Sequence, residues 1–147
     1  MLTDAELIRV LDHYFGGPDL VRPSSYFLGL HVGESPPDLS TGDGFIEPAT
    51  DDYWRIPVTD NFWAAAVIPF AGPNEGRVVK HNAEVAAFPS PSAGWGTPTH
   101  IGVFAGQVGG VPRGIAIMSA GAREVEVASI VRFIPGTLTL LGSRVGE

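Results

Sequence analysis

Turn-forming residues interrupt this chain so often that no apolar run beyond residue 25 is long. "SYFLGLHV" (25–32) ends at Gly33, "HIGVFAG" (100–106) runs into Gly109–Gly110, and "TLTLLG" (137–142) follows a Pro-Gly pair. Long helices cannot form between such breaks, whereas a strand needs only about five residues. The runs also alternate. Tyr26, Leu28, Leu30 and Val32 interleave with Phe27, Gly29 and His31, and Val125, Val127 and Ile130 interleave with Glu124, Glu126 and Ala128, which is strand periodicity. With 19 glycines and 13 prolines, the pattern predicts an all-β fold, an antiparallel β-sandwich of jelly-roll-like or barrel-like form.

Further strands are expected at 52–58, 77–82, 83–88, 114–120, 123–134 and 138–140, with a hairpin connection at 107–113. The stretch 61–70 is ambiguous between a helical turn and a strand. One helix stands out, at the start. Thr3 suits an N-cap and Glu6 completes a capping-box spacing, while Leu7, Leu11 and Tyr14 share a face and "GGP" (16–18) stops the element. An amphipathic helix usually serves its own core, so packing on its own domain is the default; docking on a partner is the alternative. The length of 147 residues fits a single domain over 1–147, with 1–17 as a helix or arm.

Composition removes several functions. The net charge is −7, with 9 Lys and Arg that never cluster, so neither nucleic acid nor an anionic membrane surface is an expected partner. No cysteine is present, which excludes disulfides, thiolate metal sites and a cysteine nucleophile. Asp4 and Glu6 occupy the region where a secretory signal carries positive charge, and no run reaches the length of a membrane helix. A soluble chain made in the cytoplasm is expected.

The search for chemistry gives little. His13, His31, His81 and His100 share no ligand spacing, and neither a metal nor a cofactor is expected. A Ser92–His100–Asp51 or –Asp52 triad rests on residue type alone. Asp38, Asp43, Glu47, Asp51 and Asp52 could form a glycosidase-like pair or a calcium site, but a solvated loop carrying the net charge explains them as well. No catalytic residue is assigned. Aromatics are the better signal. Most should fill the core, and Trp54 and Trp63 are the ones placed at a subunit interface. Leu7, Leu11 and Tyr14 join them as candidate interface residues.

One stretch remains, "AFPSPSAGWGTPTHIGVF" (87–104). It reads as a structural corner. Phe88 closes one strand, Trp95 caps the core, and Thr97, Thr99 and His100 lead into the next strand, with His100 hydrogen-bonded inside the fold or its oligomer.

The order of segments resembles a family of small tailed-bacteriophage virion proteins, described as head-fibre or tail-fibre proteins. The matching residues are Leu11, Gly16 and Gly17; Tyr26, Leu28, Leu30 and His31; Tyr53 and Arg55; Asn82, Phe88 and Pro89; then Trp95, Gly96, Thr97, Thr99, His100, Gly102 and Phe104, with Gly109 and Gly110. The W-G-T-x-T-H-x-G-x-F run is the specific part. Ala105 stands where the family places Asp, and "GAREVEVASIVRF" lacks the family's Gly-Asp turn. The resemblance implies a non-enzymatic virion component assembled in the host cytoplasm. Its expected partner is the major capsid protein or another virion protein, and a homo-oligomer, with a trimer favoured, suits such a block. Three functions follow: a capsid-decorating cement or head-fibre protein first, a tail-fibre or tail-associated adapter second, a glycan hydrolase third.

Overall fold

The computed structural model describes residues 1–23, 25–118, 126 and 130–142. The elements are helix α1 (Asp4–Phe15) and strands β1 (Tyr26–His31), β2 (Ile56–Val58), β3 (Val79–His81), β4 (Ala86–Ala87), β5 (His100–Phe104), β6 (Gly114–Met118), β7 (Arg132–Phe133) and β8 (Leu138–Leu141). Six strands form one sheet in the order β2-β1-β5-β6-β8-β3, and β4 pairs with β7 in a second. Every pairing is antiparallel. The fold is therefore mostly β with one short N-terminal helix, and β1 lies inside the sheet, as its two apolar faces require.

Register sorts the side chains. Leu28 faces Val103 and Leu30 faces Ile101 across β1–β5, while Ile101 faces Ala116 across β5–β6. These residues form the inner face. They bury against Ala86 of β4, Phe88, Trp95 and Phe62, with Phe133 of β7 packed alongside. The two-stranded layer is thin, so the aromatic rings of the connections supply much of the cover.

The opposite face of the large sheet is built around two glycines. Gly29 and Gly102 are direct partners. A Cβ at Gly102 would lie 2.6 Å from Phe104 and 2.8 Å from Phe45. The bare backbone there lets the connection 33–55 lie close, with Phe45 edge-on to Phe104 at 5.3 Å and near His31 at 5.2 Å.

Several local expectations need correction. The helix forms and ends at Gly16, whose φ of 114° only glycine adopts easily. Its capping box does not form: the Thr3 hydroxyl donates to the Arg113 carbonyl at 3.2 Å, and the Glu6 carboxylate accepts from Arg113 Nη1 at 3.3 Å. Nor does the helix pack into its own core, since none of its residues is buried. The expected strand at 52–58 shrinks to β2, because residues before it are held by side-chain bonds instead of a ladder. The stretch 61–70 is neither helix nor strand; it touches the sheet through single bridges, Trp63 to Asn82 and Val67 to Val79. Most of the expected strand 123–134, and Ser119–Ala120 before it, lie outside the described residues.

Candidate functional site

The corner at 87–104 is held by one carboxylate. Asp52 Oδ1 accepts from the Trp95 indole at 3.1 Å and from the Thr50 hydroxyl at 2.6 Å, and Oδ2 accepts from the Ser92 backbone N–H. These donors, the Thr50 hydroxyl foremost, hold the Asp52 carboxyl far below the usual carboxylate range. Trp95 is buried, edge-on to Tyr53 at 5.4 Å, and Phe88 stacks on the same Tyr53 ring. Gly96, with φ of 90°, turns the chain out of the core. Thr97 and Thr99 are exposed and His100 is half-buried.

A second carboxylate organises the far side of the sheet. Glu47 Oε1 accepts from the Tyr53 hydroxyl at 2.7 Å, and Arg55 Nη2 meets Glu47 Oε2 at 2.8 Å. Tyr53 in turn accepts the Leu30 N–H at 2.9 Å. Burial, and then the Glu47 carboxylate, raise the Tyr53 phenol well above its ordinary value. Arg55 Nη1 also donates to the carbonyls of Gly106 and Gly109 at 2.9 and 2.8 Å, and its guanidinium lies 3.5 Å above the Phe104 ring. One arginine thus ties loop 45–55, strand β5 and the β5–β6 hairpin together. Its side chain is 5% exposed and that of Glu47 23%, so the pair is an enclosed, multiply bonded one.

Two further polar residues act in the same way. Asn82 is buried: its amide donates to the carbonyls of Glu84 and Ile134, and its Oδ1 accepts the Leu138 N–H, all at 2.9 Å. His31 Nδ1 accepts the Ile46 N–H and Nε2 faces the Ser35 carbonyl, both at 2.9 Å. With a donor aimed at Nδ1, the ring is the Nε2–H tautomer. His31 therefore closes the loop between Ser35 and Ile46 onto β1.

This geometry does not assemble the triad or the carboxylate pair. Asp52 is bonded to Thr50, Ser92 and Trp95, not to His100. His100 Nδ1 is bonded to Thr99 Oγ1 at 2.9 Å, and burial, with His31 beside it, lowers its pKa. Asp38 accepts from Ser40 and Thr41 within its own turn. Among the described residues, no group of three His, Cys, Asp or Glu could hold a metal ion. The acidic loop is thus more than a solvated charge carrier: Asp38 and Asp52 fix backbone, and Glu47 holds the Tyr53 and Arg55 side chains. Sequence reasoning missed these roles, although Tyr53 and Arg55 stood two residues apart in the motif it did single out.

The interface candidates divide. Tyr14 is 74% exposed, Leu11 57% and Trp54 50%, whereas Leu7 and Trp63 are half-buried. Trp63 lies edge-on to Phe62 at 5.1 Å.

No curated protein matches the chain. A family model does, described as "Podophage GP4 fiber I protein gp80", over residues 3–141. That span takes in α1, all eight strands, and both the Asp52 and the Glu47–Arg55 clamps. The chain belongs to this family of podophage fiber proteins.

Proposed function

We propose that the protein is a non-enzymatic structural subunit of the virion fibre, seated on the head shell by apolar contacts to the major capsid protein or a neighbouring virion protein. Several of its polar side chains are taken up in holding the fold, while many large apolar ones stay exposed. The observation that carries this reading is the surface. Sixteen large apolar side chains among the described residues are at least 46% exposed, including Phe70 at 97%, Val108 at 86% and Phe15 at 84%. Where exposed apolar side chains gather, they mark sites of association. The stretch 67–78 gathers four of them, Val67, Ile68, Phe70 and Val78, beside edge strand β3. A tail-associated adapter is the second reading, since the same surface would serve there.

The test is an image of intact virions at side-chain resolution, together with particles lacking the protein. The expected outcome is density for this fold on the head shell, and mutant particles that assemble but lose heat or osmotic resistance. Density confined to the tail, with unchanged shell stability, overturns the head-shell seat in favour of the adapter.

A further inference from the structure

The inner face of the six-stranded sheet is only half covered. Below the core, a groove of about 310 Å³ crosses it, and each strand contributes one residue: Val58, Tyr26, Val103, Gly114, Leu140 and Lys80, from β2, β1, β5, β6, β8 and β3. Trp63 walls one side, and Leu2 and Glu6, at the root of α1, wall another. At Gly114 a Cβ would meet Leu140 at 3.1 Å, the Met1 carbonyl at 3.3 Å and Leu2 at 3.4 Å, so the bare backbone lets the N-terminal segment close one end of the groove. Lys80 forms no ion pair among the described residues. The groove has an apolar floor rimmed by two ion pairs, Arg22–Asp60 and Arg113–Glu6, and Lys80 is its one charge outside an ion pair among the described residues.

Helix α1 is its complement. Glu6, on the side bonded to Arg113, has a side chain only 13% exposed. Ile8, Leu11, Tyr14 and Phe15 point away, at 58%, 57%, 74% and 84% exposure. Helices place residues three, four and seven apart on one side, so these four make a single apolar stripe, with Asp12 exposed among them. We infer that the groove receives α1 of a second copy, with the stripe on the apolar floor and Asp12 near Lys80. Three observations carry it. Each surface lacks what the other offers. Lys80 of the groove and Asp12 of the helix are opposite in charge. Both surfaces meet at Leu2 and Glu6, so one twofold axis beside them can exchange the two helices reciprocally. Four such side chains expose roughly 600 Å². Two reciprocal contacts bury roughly 1,500 Å², within the range of standard-size interfaces.

This goes beyond the fibre assignment and fails separately from it, because it is read on purified protein and not on particles. The chain has no cysteine, so single cysteines report contact cleanly. Leu11→Cys and Val58→Cys variants are mixed under mild oxidation, and each is also oxidised alone, with sedimentation velocity giving the mass of the unmodified chain. The expected result is a dimer of the unmodified chain, a mixed disulfide between the two variants, and little disulfide from either alone. Phe15→Asp, at an exposed position, should keep the native circular dichroism spectrum and shift the chain to monomer by at least tenfold in dissociation constant. A Leu11→Cys disulfide formed alone would mean helix-on-helix pairing and overturn the groove. A monomer at all concentrations, or a dimer without the mixed disulfide, overturns it as well.

Discussion

Loop 45–55 and helix α1 invert the usual relation between polarity and burial. The loop carries Glu47, Asp51, Asp52 and Arg55 within eleven residues, yet Arg55 is buried and Asp52 and Glu47 are bonded on several sides. The helix is apolar at seven of its twelve positions, yet buries none of them. The difference lies in partners. Glu47 and Asp52 accept from N–H and O–H donors at fixed positions, and Arg55 donates to Glu47 and two carbonyls, which offsets the cost of leaving water. The helix is anchored through Glu6 and Arg113 instead of its apolar stripe, so the stripe is left over. In this fold buried polar side chains tie the loops to the sheet, and part of the apolar surface is left exposed.

The comparison predicts a steep gradient of mutational cost. The largest effect belongs to Arg55→Ala, which leaves Glu47 enclosed without its counter-charge and frees the carbonyls of Gly106 and Gly109. Breaking a buried pair this way costs about 3–5 kcal/mol. Urea unfolding followed by circular dichroism should show it, and a loss under about 1 kcal/mol would mean that the clamp behaves like a surface ion pair. Next comes Gly102→Ala. Its Cβ meets the Phe45 and Phe104 rings at under 3 Å, and overpacking of that kind costs about 1–3 kcal/mol. The paired Gly96→Ala control meets only Val32 at 3.7 Å, so its cost comes from its left-handed backbone alone.

How much of this the sequence disclosed follows from the range of the interactions. Alternation in 26–31 and the Gly109–Gly110 break reported strands and a hairpin correctly because both are local properties of the backbone. The burial of Trp95 and Phe88 was legible from size and flanking turns. The role of Asp52 was not, because two of its donors, Ser92 and Trp95, lie 40 and 43 residues along the chain; that of Glu47 was not because its pairing with Tyr53 and Arg55 depends on how the loop folds back. A carboxylate in a Gly- and Pro-rich loop looks the same whether it is solvated or bonded three times. The helix misled for the opposite reason. Its amphipathic pattern reports that an apolar surface will be covered, without saying by which chain.

A third prediction uses pH. Asp52 titrates below its ordinary value when folded. Its contribution to stability is therefore present above the unfolded carboxylate range, near pH 4, and is lost as pH falls through and below it. Asp52→Asn should be less stable than the unmodified chain at pH 7, and the gap should narrow steadily below about pH 4. Trp95 fluorescence is the local probe, since its indole bonds the same oxygen as the Thr50 hydroxyl. A gap that stays constant from pH 7 to pH 3 would assign the loss to side-chain shape and not to charge.

The smallest effect is expected where hydrophobicity alone would predict the largest. Leu11→Ser removes an apolar side chain that the monomer leaves 57% exposed. In dilute solution its unfolding midpoint should stay within about 0.5 kcal/mol of the unmodified chain. The two should separate only as concentration rises. The unmodified chain gains apparent stability by mass action when its stripe is covered, and the variant does not. A Leu11→Ser loss of about 2 kcal/mol or more at every concentration would place the stripe in the domain's own core. The contrast between the loop and the helix would then be one of degree, with both regions closing the same domain.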